Sequence, residues 1–120
     1  GPIQLRGHAD KLPFDDNSLD FVYASHLLED YHRFDWPRVV GEWARVVKPG
    51  GYIIILVPER ERWAAAIARG QQGNPGHAGP EPIVGDISRC AAILGLTVIE
   101  EALTNQFEND YTILGVLKKP

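Results

Sequence analysis

Six consecutive residues, Tyr52-Ile53-Ile54-Ile55-Leu56-Val57, constrain this chain more than any other feature. They are apolar at every position and rich in β-branched side chains, with no polar alternation. A strand of that kind belongs at the centre of a sheet covered on both faces. Pro58 stops it. The run is far short of the roughly 20 residues that cross a bilayer.

The neighbouring segments supply what such a strand needs. Residues 36–47 place Trp36, Val39, Val40, Trp43, Val46 and Val47 on one helical stripe. Asp35 is the expected N-cap, Pro37 fits the first turn, and Pro49-Gly50-Gly51 ends the helix. Residues 19–24 form a second apolar strand, residues 3–7 a short alternating one, and residues 25–32 a short helical turn with Leu27 and Leu28 inward. Residues 59–69 are alanine-rich and helical, with Gly70 as their stop. Asp86 is expected to cap a helix over 87–94 that Gly95 closes. Residues 96–101 and 111–117 read as an antiparallel hairpin. Strand–helix alternation with a closing hairpin predicts an α/β sheet with helices on its faces, whose ligands lie at the carboxyl ends of the strands, after Gly7, Ala24 and Val57. Residues 71–82, with three glycines and three prolines, form either a mobile loop or an ordered lid beside Trp63.

A length of 120 residues suits one domain. Sixteen acidic against 12 basic residues leave a formal charge of −4, which offers no general attraction to nucleic acid or an anionic membrane. One cysteine, Cys90, closes no intrachain disulfide and reads as a small buried residue. His8, His26, His32 and His77 match no ligand spacing, so no metal is expected. A cytoplasmic, reducing compartment is the expectation. Gly1-Pro2 reads as the remnant of a cleaved tag, with the true start at Ile3.

Four segments in order carry a resemblance. They are Gly7-His8-Ala9-Asp10-Lys11-Leu12-Pro13-Phe14, Asp16-Asn17-Ser18-Leu19-Asp20-Phe21-Val22, Leu28-Glu29-Asp30, and Arg45-Val46-Val47-Lys48-Pro49-Gly50-Gly51. This succession resembles the class I S-adenosylmethionine-dependent methyltransferases of the small-molecule type, over roughly the C-terminal half to two-thirds of a family domain. The resemblance implies an incomplete Rossmann-like sheet as a single truncated domain over residues 1–120. S-adenosylmethionine is the implied cofactor, and a small molecule the implied acceptor.

Carried over residue by residue, it implies cofactor contacts from His8, Ala9, Asp10 and Ser25, with His8 where the family has an adenine-binding Asp. It sets Ser25 and His26 near the transferred methyl group, with His26 as candidate general base. Glu29-Asp30 stands where the family often has Glu-His, and reads here as a charged turn without a catalytic role. The family's glycine-rich GxGxG turn has no counterpart among the 120 residues.

In the family, two further strands separate the first strand of this chain from residues 19–24. Without them the edge of residues 19–24 needs cover. The first strand can slide across, a second copy can pair in a homodimer, or a complementing chain can supply the rest; the dimer is the expected outcome. Two functions follow: a methyltransferase half completed by another chain, or a non-catalytic remnant serving as a dimerisation or binding module.

Overall fold

Residues 52–57 do lie at the centre of the sheet. The structure, a computed structural model, describes residues 3–4 by their backbone, and residues 9–70, 73, 77, 79–106 and 109–120 in full. The elements are β1 (Ile3–Gln4), β2 (Leu19–Ser25), 3-10 turns at Leu28–Asp30 and Arg33–Asp35, α1 (Trp36–Val46), β3 (Val47–Pro58), α2 (Arg60–Ala68), α3 (Asp86–Leu94), β4 (Thr97–Thr104) and β5 (Thr112–Lys118). They build one sheet in the order β1-β2-β3-β5-β4. β1 and β2 run parallel to β3, whereas β5 runs antiparallel to it and forms the expected hairpin with β4.

The helix stripe is buried as its spacing predicts: Trp36, Val39, Val40, Trp43 and Val46 all lie inside. They pack with Val22, Ala24, Ile53, Ile55, Val57, Ile113 and Leu117 into one core. α1 lies against β3 and against α3, which in turn covers β4 and β5. Ile87 of α3 sits on Gly115 of β5 so closely that a Cβ there would lie 2.7 Å from Ile87 Cδ1.

Several expectations are corrected. The sheet is fully covered on one face only. On the other, Phe21, Tyr23, Ile54, Leu114 and Val116 are half-buried and Tyr52 is exposed. The cause is α2, which buries only Ala66 and covers little of that face. The edge of β2 meets β1, pairing Ile3 with Val22 and Gln4 with Tyr23. Over these two pairs the first strand covers the edge, and β1 satisfies its backbone groups there.

The caps differ too. Asp35 makes no side-chain bond to the start of α1, because the 3-10 turn before it holds it in a helical conformation; its carboxylate faces Arg38 instead, at 3.8 Å. Asp86 is the first residue of α3 rather than its cap. Gly85 occupies the cap position, and Glu101 of β4 supplies the carboxylate. Finally, residues 48–51 belong to β3, where they bulge: Val47 faces Leu19 and Tyr52 faces Phe21.

Candidate functional site at the carboxyl ends of the central strands

The loop that follows β1 is tied to α1 by the residues that carry its sequence pattern. Glu42 accepts from the Leu12 N–H at 2.8 Å, and Arg45 donates to the Leu12 and Phe14 carbonyls and to Asp16. Arg45 also forks onto Glu42 with two 2.8 Å bonds. That guanidinium holds the Glu42 carboxyl down at about 2.

Trp43 Nε1 donates to the Ala9 carbonyl at 2.8 Å, and Ala9 is buried. Asp10 pairs with Arg38 at 2.8 Å, which lowers its pKa, and accepts from the Tyr31 hydroxyl at 3.4 Å. Ala9 and Asp10 are therefore engaged in fastening the loop to α1 and the turn before it. His8 lies outside the described residues, as do Gly7 and residues 71, 72, 74–76 and 78. Ser25, another of the cofactor candidates, is half-buried at the end of β2.

At the end of β2 the chain turns sharply. The His26 N–H donates to the Leu56 carbonyl at 2.7 Å, extending the β2–β3 ladder by one residue, and His26 itself adopts φ +52°. A non-glycine residue in the left-handed region is uncommon, and such strain concentrates at functional sites. Leu28 then enters the core and carries Glu29 inside with it. Glu29 is 3% exposed and no hydrogen bond reaches either carboxylate oxygen among the described residues, so the turn is not a merely solvated one. Beside it, burial and the Glu29 charge raise the Asp30 pKa.

Around Glu29 the structure gathers residues that are distant in sequence. His26 Nδ1 and His77 Nε2 each stand 3.6 Å from Glu29 Oε2. His77 Nδ1 contacts Glu81, whose second oxygen is also buried without a bond. Trp63 of α2 packs on His77 and on Tyr111. Arg60 fixes this corner by donating its N–H to Pro82 and its Nε to the Glu81 carbonyl. Arg62 and Asp110, the chain neighbours of Trp63 and Tyr111, line a polar groove of about 370 Å³ with Leu103, Thr104, Asn105 and Gln106. Among the described residues no group of three or more His, Cys, Asp or Glu side chains is placed to hold a metal ion.

His26 and Ser25 thus stand where the strand-end rule puts them. The sequence pattern does not single out Glu81 or Tyr111, and it leaves Glu29 in a charged turn without a catalytic role. Only the His77/Glu81 spacing of four was available as a signal, and in a Gly/Pro-rich segment that spacing carries none.

Residues 2–55 match the family model described as a methyltransferase domain. A demethylmenaquinone methyltransferase of Bacillus cereus (strain B4264) is 44% identical over 52 residues, 43% of this chain and 21% of that protein. The chain therefore spans about a fifth of the length of that relative. Among solved structures, the putative methyltransferase in complex with the Trm112 methyltransferase activator of Haloferax volcanii is similar at TM-score 0.71 and 23% identity, over 97% of this chain and 61% of that one. The 1,6-didemethyltoxoflavin-N1-methyltransferase of Burkholderia thailandensis, with bound 1,6-didemethyltoxoflavin and S-adenosylhomocysteine, is similar at TM-score 0.66 and 11% identity, over 92% and 48%.

Proposed function

We propose, for a chain that belongs to the class I S-adenosylmethionine-dependent methyltransferases, that these residues are the acceptor-side half of a small-molecule methyltransferase. The observation that carries this reading is the cluster at the ends of β2 and β3, where strained His26 stands 3.6 Å from buried Glu29, whose oxygens no hydrogen bond reaches among the described residues. His26 is the candidate general base, with Glu29 as the group that orients it. When bound, S-adenosylmethionine supplies a methyl group already activated by its sulfonium. What this half contributes is alignment of the acceptor and a place for its proton.

The cofactor's main contacts, in this reading, come from a glycine-turn segment beyond these 120 residues, on another chain or another part of a longer one. The half-exposed apolar sheet face of Phe21, Tyr23, Tyr52 and Ile54 supports this reading, since such a face favours cover. A homodimer that covers the same face is the alternative assembly. A reducing, cytoplasmic setting suits the single buried cysteine. The second reading, a non-catalytic binding module, is favoured by one observation: Ala9 and Asp10 are engaged with Trp43 and Arg38.

Calorimetric titration with S-adenosylmethionine separates these readings when done twice, on this chain alone and with a co-expressed glycine-turn half of a family domain. Weak or absent binding alone, with binding and methyl transfer in the pair, is the expected result. Micromolar binding by the chain alone sinks the need for a complement. Failure of the pair both to associate and to bind cofactor leaves the binding-module reading.

A further inference from the structure

Glu29 and four rings form a closed circuit. From Glu29 Oε2 the circuit runs 3.6 Å to His26, whose ring centroid lies 6.1 Å from that of Tyr111. Tyr111 lies 4.9 Å from Trp63, Trp63 lies 5.4 Å from His77, and His77 returns to the same Glu29 oxygen at 3.6 Å. The two imidazole contacts are too long for hydrogen bonds.

A carboxylate with 2% of its side chain exposed and no donor is costly unless something arrives to pair with it. Two arginines of this corner are engaged elsewhere: Arg60 on the Glu81 carbonyl, Arg33 on Pro80 and Asp86. Glu81 adds a second buried unpaired oxygen on the far side of His77. Aromatic faces beside unpaired negative charge are the surroundings that an organic cation prefers. An anionic acceptor is repelled there, and a neutral one leaves the charge unpaired.

We propose that the acceptor recognised at this site is an amine, bound as its ammonium against Glu29 with Trp63 and Tyr111 as walls. The inference rests on reading this end of the sheet as the acceptor side, and it names the acceptor's chemistry. The competing account needs no ligand: a doubly protonated His77 bridging Glu29 and Glu81.

Nuclear magnetic resonance of this chain, following the Trp63 indole N–H during titration with ethylammonium chloride, decides between them. Potassium chloride and ethanol serve as ionic and neutral controls. A saturable shift with ethylammonium and none with the controls is expected, weakened about tenfold or more in Glu29→Gln, the scale of one charged hydrogen bond. Trp63→Leu, followed through the Tyr111 ring signals, carries the same expectation should Glu29→Gln not fold. No saturable shift in the native chain, or an equal one in the folded variants, overturns the proposal and leaves the His77 bridge. The measurement needs no cofactor. Methyl transfer to a neutral acceptor by the completed enzyme, with no ammonium binding, therefore overturns this inference and keeps the methyltransferase reading. Ammonium binding without any transfer does the reverse.

Discussion

Glu101, on β4, caps α3 through Ser88, accepting from its backbone N–H at 3.1 Å and from its hydroxyl. The second Glu101 oxygen accepts from the N–H groups of Gly85 at 2.8 Å and Ile87 at 3.2 Å. One carboxylate from a strand thus satisfies three of the amides that a helix start leaves unpaired. Glu101→Ala is expected to lower stability by about 1–2 kcal/mol, the upper part of the range for lost caps. Asp86→Ala, which leaves these three bonds intact, costs less. Urea denaturation of both variants checks the order, and a larger loss for Asp86→Ala refutes the assignment.

Gly51 is required by close approach. A Cβ there would stand 2.5 Å from the Asp20 carbonyl oxygen and 2.9 Å from that of Lys48, both backbone atoms that cannot swing away. Gly50 next to it has open space but φ +84°. Gly51→Ala is therefore expected to cost about 1–3 kcal/mol through overpacking. Gly50→Asn, a residue that tolerates the left-handed region, stays close to native. Thermal melting that ranks the two the other way refutes this account of the bulge.

Acid stability should report on Glu42. Its carboxyl is held at about 2 in the folded chain, against an ordinary 4.5, chiefly by the Arg45 hydrogen bonds. A depressed folded value means that the unfolded chain takes up the proton first. The contribution is complete above about pH 4.5 and is lost as pH falls toward 2. Glu42→Gln is expected to flatten the stability profile across that window and leave its slope above pH 5.5 unchanged, about one unit clear of the titration. An unaltered acid limb counts against the pairing.

Burial pushes the Cys90 thiol up to about 12. The thiolate that reacts with alkylating agents is then nearly absent near neutral pH. Native protein should label with iodoacetamide far more slowly than protein in urea. Equal rates mean that α3 does not pack as described.

Much of this architecture is legible along the chain. The unbroken apolar run at residues 52–57 identifies the central strand, and the Trp36–Val46 stripe identifies the helix face that covers it. Both are local periodicities, and burial follows them. The caps were less legible, because a cap is any carboxylate that reaches the amides: Glu101, 13 residues beyond Ser88, outcompetes the adjacent Asp86. The candidate site was read in part. Ser25 and His26 follow from strand-end position, while Glu29 looks like an ordinary polar residue in a turn. It is buried because Leu28 beside it must enter the core.

By itself, then, the sequence determined the α/β class, the central strand, the helix stripe and the closing hairpin, since each rests on side-chain spacing within one segment. Only the tertiary structure decided that β1 pairs with β2, that one sheet face stays half-open, and that His26, Glu29, Trp63, His77 and Tyr111 meet. Those contacts join residues up to 85 positions apart (His26 to Tyr111). Periodicity within a segment holds no information about such pairs; the packing that brings the segments together does.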